Sequence, residues 1–133
     1  MKKIQNTIGL IGCGNMGSAI LAGLIKNQIA PRNRIYIYDG VRSKMNSVSR
    51  NFGVKRTKDN RDLIRKAQIV ILAVKPQDLR RVGEEIRSLL TSNHVVISIL
   101  AGTPIQKLKR VLGTKPALVR AMPYLGAQVG EAI

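Results

Sequence analysis

The stretch Ile8-Gly9-Leu10-Ile11-Gly12-Cys13-Gly14-Asn15-Met16-Gly17 decides the fold. Three glycines at G-x-G-x-x-G spacing follow a short apolar run and precede the helix-periodic run Ser18-Ala19-Ile20-Leu21-Ala22-Gly23-Leu24-Ile25. Strand, glycine turn and helix in that order form the fingerprint of a dinucleotide-binding unit. Gly12 lets the chain turn sharply out of the strand, Gly14 removes a side chain where backbone must approach a pyrophosphate, and Gly17 lets the helix pack close to the sheet. The N–H groups of the helix's first turn, with the positive end of its dipole, then face the phosphates.

Outward from this turn, apolar runs alternate with helical stripes. Residues 7–11 form a first strand and residues 16–26 a helix that the segment around Pro31 ends. Residues 34–38 are β-branched and aromatic, hence a second strand ending at Asp39-Gly40. Val41, Met45, Val48 and Phe52 make one stripe of a second helix, which Gly53 stops. Residues 54–56 read as a brief charged edge strand, with Asn60 as the cap of a short helix over 61–67. Residues 68–74 are continuously apolar, as in a parallel strand covered on both faces. Pro76 opens a helix with Leu79, Val82, Ile86, Leu89 and Leu90 inward, residues 94–99 make a fifth strand, Thr103-Pro104 opens a helix, and residues 116–121 supply the last strand. The predicted fold is α/β, a Rossmann-type doubly wound parallel sheet of order 3-2-1-4-5-6.

A chain of 133 residues, 44% hydrophobic, suits one domain with a real core. It has no apolar run long enough to span a membrane, and Met1-Lys2-Lys3-Ile4-Gln5-Asn6 lacks the features of a signal peptide, so a cytoplasmic protein with no membrane partner is expected. Cys13 is the sole cysteine and His94 the sole histidine, which leaves no intramolecular disulfide and no cysteine-based metal site, and no metal is expected; His94 reads as a loop residue leading into a strand. The 23 Lys and Arg against 7 Asp and Glu give +16, a field that attracts polyanions. Yet the basic residues are spread along the chain and aromatics are scarce, so no nucleic-acid partner is expected and the charge is read as helping to capture an anionic cofactor.

Four segments in order resemble the pyrroline-5-carboxylate reductase family: the glycine turn with its helix, Ile69-Val70-Ile71-Leu72-Ala73-Val74-Lys75-Pro76-Gln77, Val96-Ile97-Ser98-Ile99-Leu100-Ala101-Gly102-Thr103-Pro104-Ile105, and Val119-Arg120-Ala121-Met122-Pro123. The resemblance implies NAD(P)H-dependent reduction of 1-pyrroline-5-carboxylate to L-proline, an imino-acid substrate, and a homo-oligomer when the family's C-terminal helical domain is present. It further implies that Ile11, Gly12, Cys13, Gly14, Asn15 and Met16, with Gly17 behind them, line the cofactor groove together with Ala73, Val74, Lys75 and Pro76, and with Leu100, Ala101 and Gly102. Asn60 matches a family asparagine that contacts the adenosine half. Asp39, at the end of strand two, suits a ribose 2′-hydroxyl and so NAD(H), while Arg42, Ser43 and Lys44 suit a 2′-phosphate. Family habit and the basic setting favour NADP(H), and Asp39 keeps NAD(H) open.

Two departures stand out. Where the family continues Met-Pro with Asn-Thr-Pro, this chain has Tyr124-Leu125-Gly126, which bears on placement of the nicotinamide end. Residues 1–121 are expected to be the dinucleotide-binding domain and 122–133 the start of a connection to a helical domain outside this sequence. No residue is nominated as catalytic. The alternative reading is a catalytically inactive Rossmann nucleotide-binding or interaction module.

Overall fold

The computed structural model describes residues 6–122. The apolar runs become strands β1 (Ile8–Ile11), β2 (Ile35–Tyr38), β3 (Lys55–Arg56), β4 (Ile69–Leu72), β5 (Val95–Ser98) and β6 (Ala117–Arg120). They form one parallel sheet of order 3-2-1-4-5-6, with Ile8 of β1 in register with both Ile35 and Ile69. Between them run α1 (Asn15–Lys26), α2 (Arg42–Phe52), α3 (Asn60–Lys66), α4 (Leu79–Ile86) and α5 (Ile105–Leu112). This is the Rossmann-type α/β sheet that the alternation predicts.

Side-chain alternation along the strands divides the core in two. Ile8, Leu10, Ile35, Ile37 and Ile71 pack against Leu21 of α1 and against Met45 and Val48 of α2. Ile11, Val70, Leu72 and Val96 pack on the other face against Leu63 and Ile64 of α3, Val82 and Ile86 of α4, and Leu108 and Leu112 of α5. Coverage of both faces explains why β4 reads as an unbroken apolar run. The edges differ: β3 carries exposed Lys55 and Arg56, and β6 is largely exposed.

Two local expectations need correction. Val41 does not join the buried stripe of α2; it precedes the helix in extended conformation and is 49% exposed. Asn60 is not the cap of α3. The cap is Asp59, whose Oδ1 accepts the Asp62 N–H at 2.7 Å, because a carboxylate one residue earlier is the stronger acceptor for the helix's unpaired N–H groups. Asn60 is therefore released to point elsewhere, and its side chain is buried. The remaining boundaries shift by a few residues, and Pro76 opens a 3-10 turn (Pro76–Asp78) that runs into α4.

Gly12 fixes the geometry of the turn. Its φ is +105°, and a Cβ there would stand 2.6 Å from the carbonyl oxygen of Ala73. Gly17 closes the same turn, since a Cβ on it would strike the Gly12 carbonyl oxygen and press on the Ala73 side chain. Its role is thus to let α1 fold back onto the turn as well as onto the sheet. Between them the Cys13 side chain is buried in the core beneath the turn. Burial, and secondarily the Asp39 carboxylate, push its thiol from the ordinary 9.0 up to about 12, with Lys44 opposing.

Gly12→Ala is expected to destabilise the fold by about 2–5 kcal/mol, combining backbone strain with overpacking, as read by urea denaturation. For Cys13, the folded protein keeps the thiol proton at pH values where the unfolded chain has lost it. The unfolded state then binds fewer protons, so stability falls as pH rises from 9.0 toward about 12. Denaturation midpoints measured across that window should fall less steeply in Cys13→Ala than in the native sequence.

Candidate functional site

The carboxyl ends of the strands converge on the glycine turn. The Gly12 N–H donates to the Tyr38 carbonyl at 2.9 Å, and the Ala73 N–H donates to the Ile11 carbonyl at 2.8 Å, so the turn is tied to the ends of both neighbouring strands. Ser18 N–H donating to Gly14 O at 2.9 Å is the first bond of α1. The N–H groups of Asn15, Met16 and Gly17 precede it and lack intrahelical acceptors, and no acidic side chain sits in that turn to take them.

Asp39 is committed to backbone. One carboxylate oxygen accepts the Cys13 N–H and the other the Val41 N–H, each at 2.7 Å. These are short, charge-assisted bonds, and they join the glycine turn to the loop between β2 and α2.

A groove of about 480 Å³ runs along the ends of β1, β2 and β4. Of the residues nominated from sequence, Ile11, Gly12, Gly14, Asp39, Asn60, Ala73, Val74 and Lys75 line it. Cys13 lies beneath it in the core, and Asn15, Met16 and Gly17 begin the helix at its floor. Arg42 lines an adjoining bay instead, and Pro76 is exposed just past the lining loop. Leu100 is buried, while Ala101 and Gly102 are exposed in the turn after β5, one strand farther along the same sheet edge. That turn is shaped by Gly102 at φ +64° and by the Thr103 hydroxyl donating to the Ala101 carbonyl.

The groove also takes in Tyr38, Gly40 and Val41 from the end of β2, and Asp78 and Arg81 from the segment after Pro76. The first three could have been found from their place at a strand's carboxyl end. Arg81 had no such signal; it stands on the rim between Asp78 at 3.5 Å and Glu85 at 3.3 Å.

Asn60 holds the telling polar atom. It is 2% exposed, its Nδ2 lies 3.5 Å from Glu85 Oε1, and its buried Oδ1 has no partner. Asn60 lines the groove, and a buried acceptor left without a donor is costly to the folded protein. His94, by contrast, is satisfied: Nδ1 accepts the Thr91 N–H at 3.0 Å and Nε2 donates to the Ile64 carbonyl at 3.0 Å, which pins the turn before β5. Among the described residues no group of three or more His, Cys, Asp or Glu could hold a metal ion, and no helix is long and apolar enough to cross a membrane. Tyr124-Leu125-Gly126 lies outside the described residues.

Comparison with known proteins bears on this edge of the sheet. The family described as NADP oxidoreductase coenzyme F420-dependent matches residues 7–102. Pyrroline-5-carboxylate reductase of Escherichia coli K12 is 38% identical over 131 residues, covering 98% of this chain and 48% of that protein. A pyrroline-5-carboxylate reductase structure from Coxiella burnetii superposes with TM-score 0.87 at 35% identity, over 95% of this chain and 47% of that one. The Plasmodium falciparum pyrroline carboxylate reductase with NADP bound gives TM-score 0.85 at 30% identity, over 98% and 47%. The chain spans about half the length of the curated relatives it matches. With residues 7–102 matched, the chain belongs to the family described as NADP oxidoreductase coenzyme F420-dependent, and over almost its whole length it is similar to about half the length of the pyrroline-5-carboxylate reductases compared above.

Proposed function

We propose that this chain is the NADP(H)-binding half of an enzyme that reduces 1-pyrroline-5-carboxylate to L-proline. Gly14 is the observation that carries the reading. Unlike Gly12, it has ordinary extended backbone angles, φ −76° and ψ −169°, and a Cβ on it would meet, beyond its own chain neighbours, no atom of the described residues within 4 Å. Nothing in the protein requires a glycine there; a ligand lying against the backbone does. The unpartnered Asn60 Oδ1 fits the same ligand, since ribose hydroxyls and the adenine amine are donors.

In this reading Ile11 to Gly17 cradle the pyrophosphate with backbone N–H groups, Asn60 meets the adenosine half, and Ala73 to Pro76 with Leu100 to Gly102 continue the cleft past β4 and β5. The nicotinamide, when bound, supplies the hydride that the C=N carbon receives. The residues of this chain bind and orient it, and we assign none of them as proton donor. The substrate is a small imino acid; the enzyme is cytoplasmic and homo-oligomeric, and its basic surface serves an anionic cofactor and not nucleic acid. Residues 1–121 form the cofactor domain and 122–133 lead toward the rest of the enzyme.

NADP(H) is favoured over NAD(H) because Asp39 is occupied as a backbone clamp while Arg42, Ser43 and Lys44 follow it at the groove's end. The NADP bound by the Plasmodium falciparum relative supports the same choice.

Fluorescence titration should show NADPH binding to the chain; binding of neither NADPH nor NADH would overturn the reading. Gly14→Ala should change stability by less than about 1 kcal/mol. It should nonetheless weaken both nucleotides by about tenfold or more, by lifting the phosphates off donors worth ~1.5–3 kcal/mol each. Asp39→Ser tests the clamp: loss of affinity for both cofactors in parallel is expected, whereas a gain for NADPH alone would show Asp39 to be a filter against the 2′-phosphate.

A further inference from the structure

Beyond Asp39 the groove opens into a second bay of about 400 Å³, which shares Tyr38, Asp39 and Gly40 with it. Arg42 and Asn46 of α2 form one wall, and Arg56 and Lys58 of the β3 edge form the other. The pleat explains the pairing. Thr57 is buried, with its N–H and hydroxyl both donating to the Ile37 carbonyl, so Arg56 and Lys58, one residue to either side, fall together on the opposite, exposed side. Register then sets their height, because Arg56 lies beside Ile37 and Lys58 is two residues nearer the carboxyl edge where Asp39 stands.

The arrangement is prepared for an anion. Arg56 Nη1 donates to Asn46 Oδ1 at 2.6 Å, which holds the guanidinium across the bay and leaves its other donors available. No carboxylate among the described residues pairs with Arg42, Arg56 or Lys58. Asp39 is taken by two backbone N–H groups; Asp62 accepts the Lys58 backbone N–H, but its ion pair is with Lys66 at 3.2 Å.

We propose that Arg56 and Lys58 complete a subsite for a ribose-linked phosphate monoester, closing on the 2′-phosphate of NADPH from the side opposite Arg42. This rests on the dinucleotide reading of the main groove and assigns the choice between NADPH and NADH in part to an edge strand. A phosphate on the ribose next to Asp39 projects away from the pyrophosphate, and the bay is the space on that side. Three cations drawn from two elements suit a dianion, which a lone ribose hydroxyl does not need.

The test titrates the 133-residue chain and its Lys58→Ala and Arg56→Gln variants with NADPH, NADH, 2′,5′-ADP and 5′-AMP. Both positions are exposed, and Lys58→Ala leaves the Arg56–Asn46 bond in place should Arg56→Gln perturb the fold. Each variant should weaken NADPH and 2′,5′-ADP by about tenfold or more, the effect of one charged hydrogen bond, and leave NADH and 5′-AMP unchanged. Equal weakening of phosphorylated and unphosphorylated ligands, or no weakening of NADPH, overturns the subsite alone. A native chain that binds none of the four removes the dinucleotide reading and the subsite with it.

Discussion

The Gly12 N–H donating to the Tyr38 carbonyl and the Cys13 N–H donating to the Asp39 carboxylate are the contacts on which the rest of the molecule depends. Together they fasten the turn after β1 to the end of β2, and the Ala73 N–H on the Ile11 carbonyl fastens β1 to β4. A parallel sheet has its chain reversals outside it, so its carboxyl edge is a row of loops with no intrinsic reason to cohere. Here three strand ends are joined by hydrogen bonds of 2.7 to 2.9 Å from backbone N–H groups to two carbonyls and the Asp39 carboxylate, and the groove exists because they are. The short reach between turn and loop also explains Gly12: a side chain at φ +105° would drive into the Ala73 carbonyl and separate β1 from β4.

The three glycines of the motif answer to different constraints. Gly12 and Gly17 answer to the protein itself, one through its backbone angle and the Ala73 carbonyl, the other through the Gly12 carbonyl. Gly14 has ordinary angles and open space above it. A fold that needed only to be stable would gain by replacing it, because any other residue loses less entropy on folding. The cost of keeping a glycine there, like the cost of the partnerless Asn60 Oδ1, is borne by the folded protein, and the proposed dinucleotide would offset it on binding.

The sheet order was legible because each strand is bounded by punctuation: the glycine turn, Pro31, Asp39-Gly40, Gly53, Pro76 and Pro104. The groove was legible where a residue lies at a strand's carboxyl end, as Ala73, Val74 and Lys75 do. What the sequence hid was set by competition between neighbours. Asp59 and Asn60 are both good caps, and only the folded backbone shows that the carboxylate takes the helix and leaves the amide to the groove. Val41 fits a helical stripe by spacing alone, yet the Asp39 carboxylate takes its N–H and holds it outside the helix. Arg56 and Lys58 look like ordinary edge-strand charges until the buried Thr57 fixes which way they point.

Charge completes the picture. Of the seven acidic residues, all but Glu131 lie among the described residues, and every one of these is engaged. Asp39 and Asp59 hold backbone N–H groups, Asp62 pairs with Lys66, and Asp78, Glu84 and Glu85 pair with Arg80 or Arg81. Among the described residues most basic side chains are thus left without a salt bridge to a carboxylate, but their influence is not uniform. At physiological ionic strength a surface charge is screened beyond about 8 Å, so those scattered over the helices' outer faces act on solubility and encounter. Lys44, Lys75 and Arg81 line the main groove and Arg42, Arg56 and Lys58 its extension, where an anion lying in the groove comes within the screening distance of their charges. A total of +16 therefore says less about a ligand than the placement of these six, which line one continuous path from the glycine turn to the edge of the sheet.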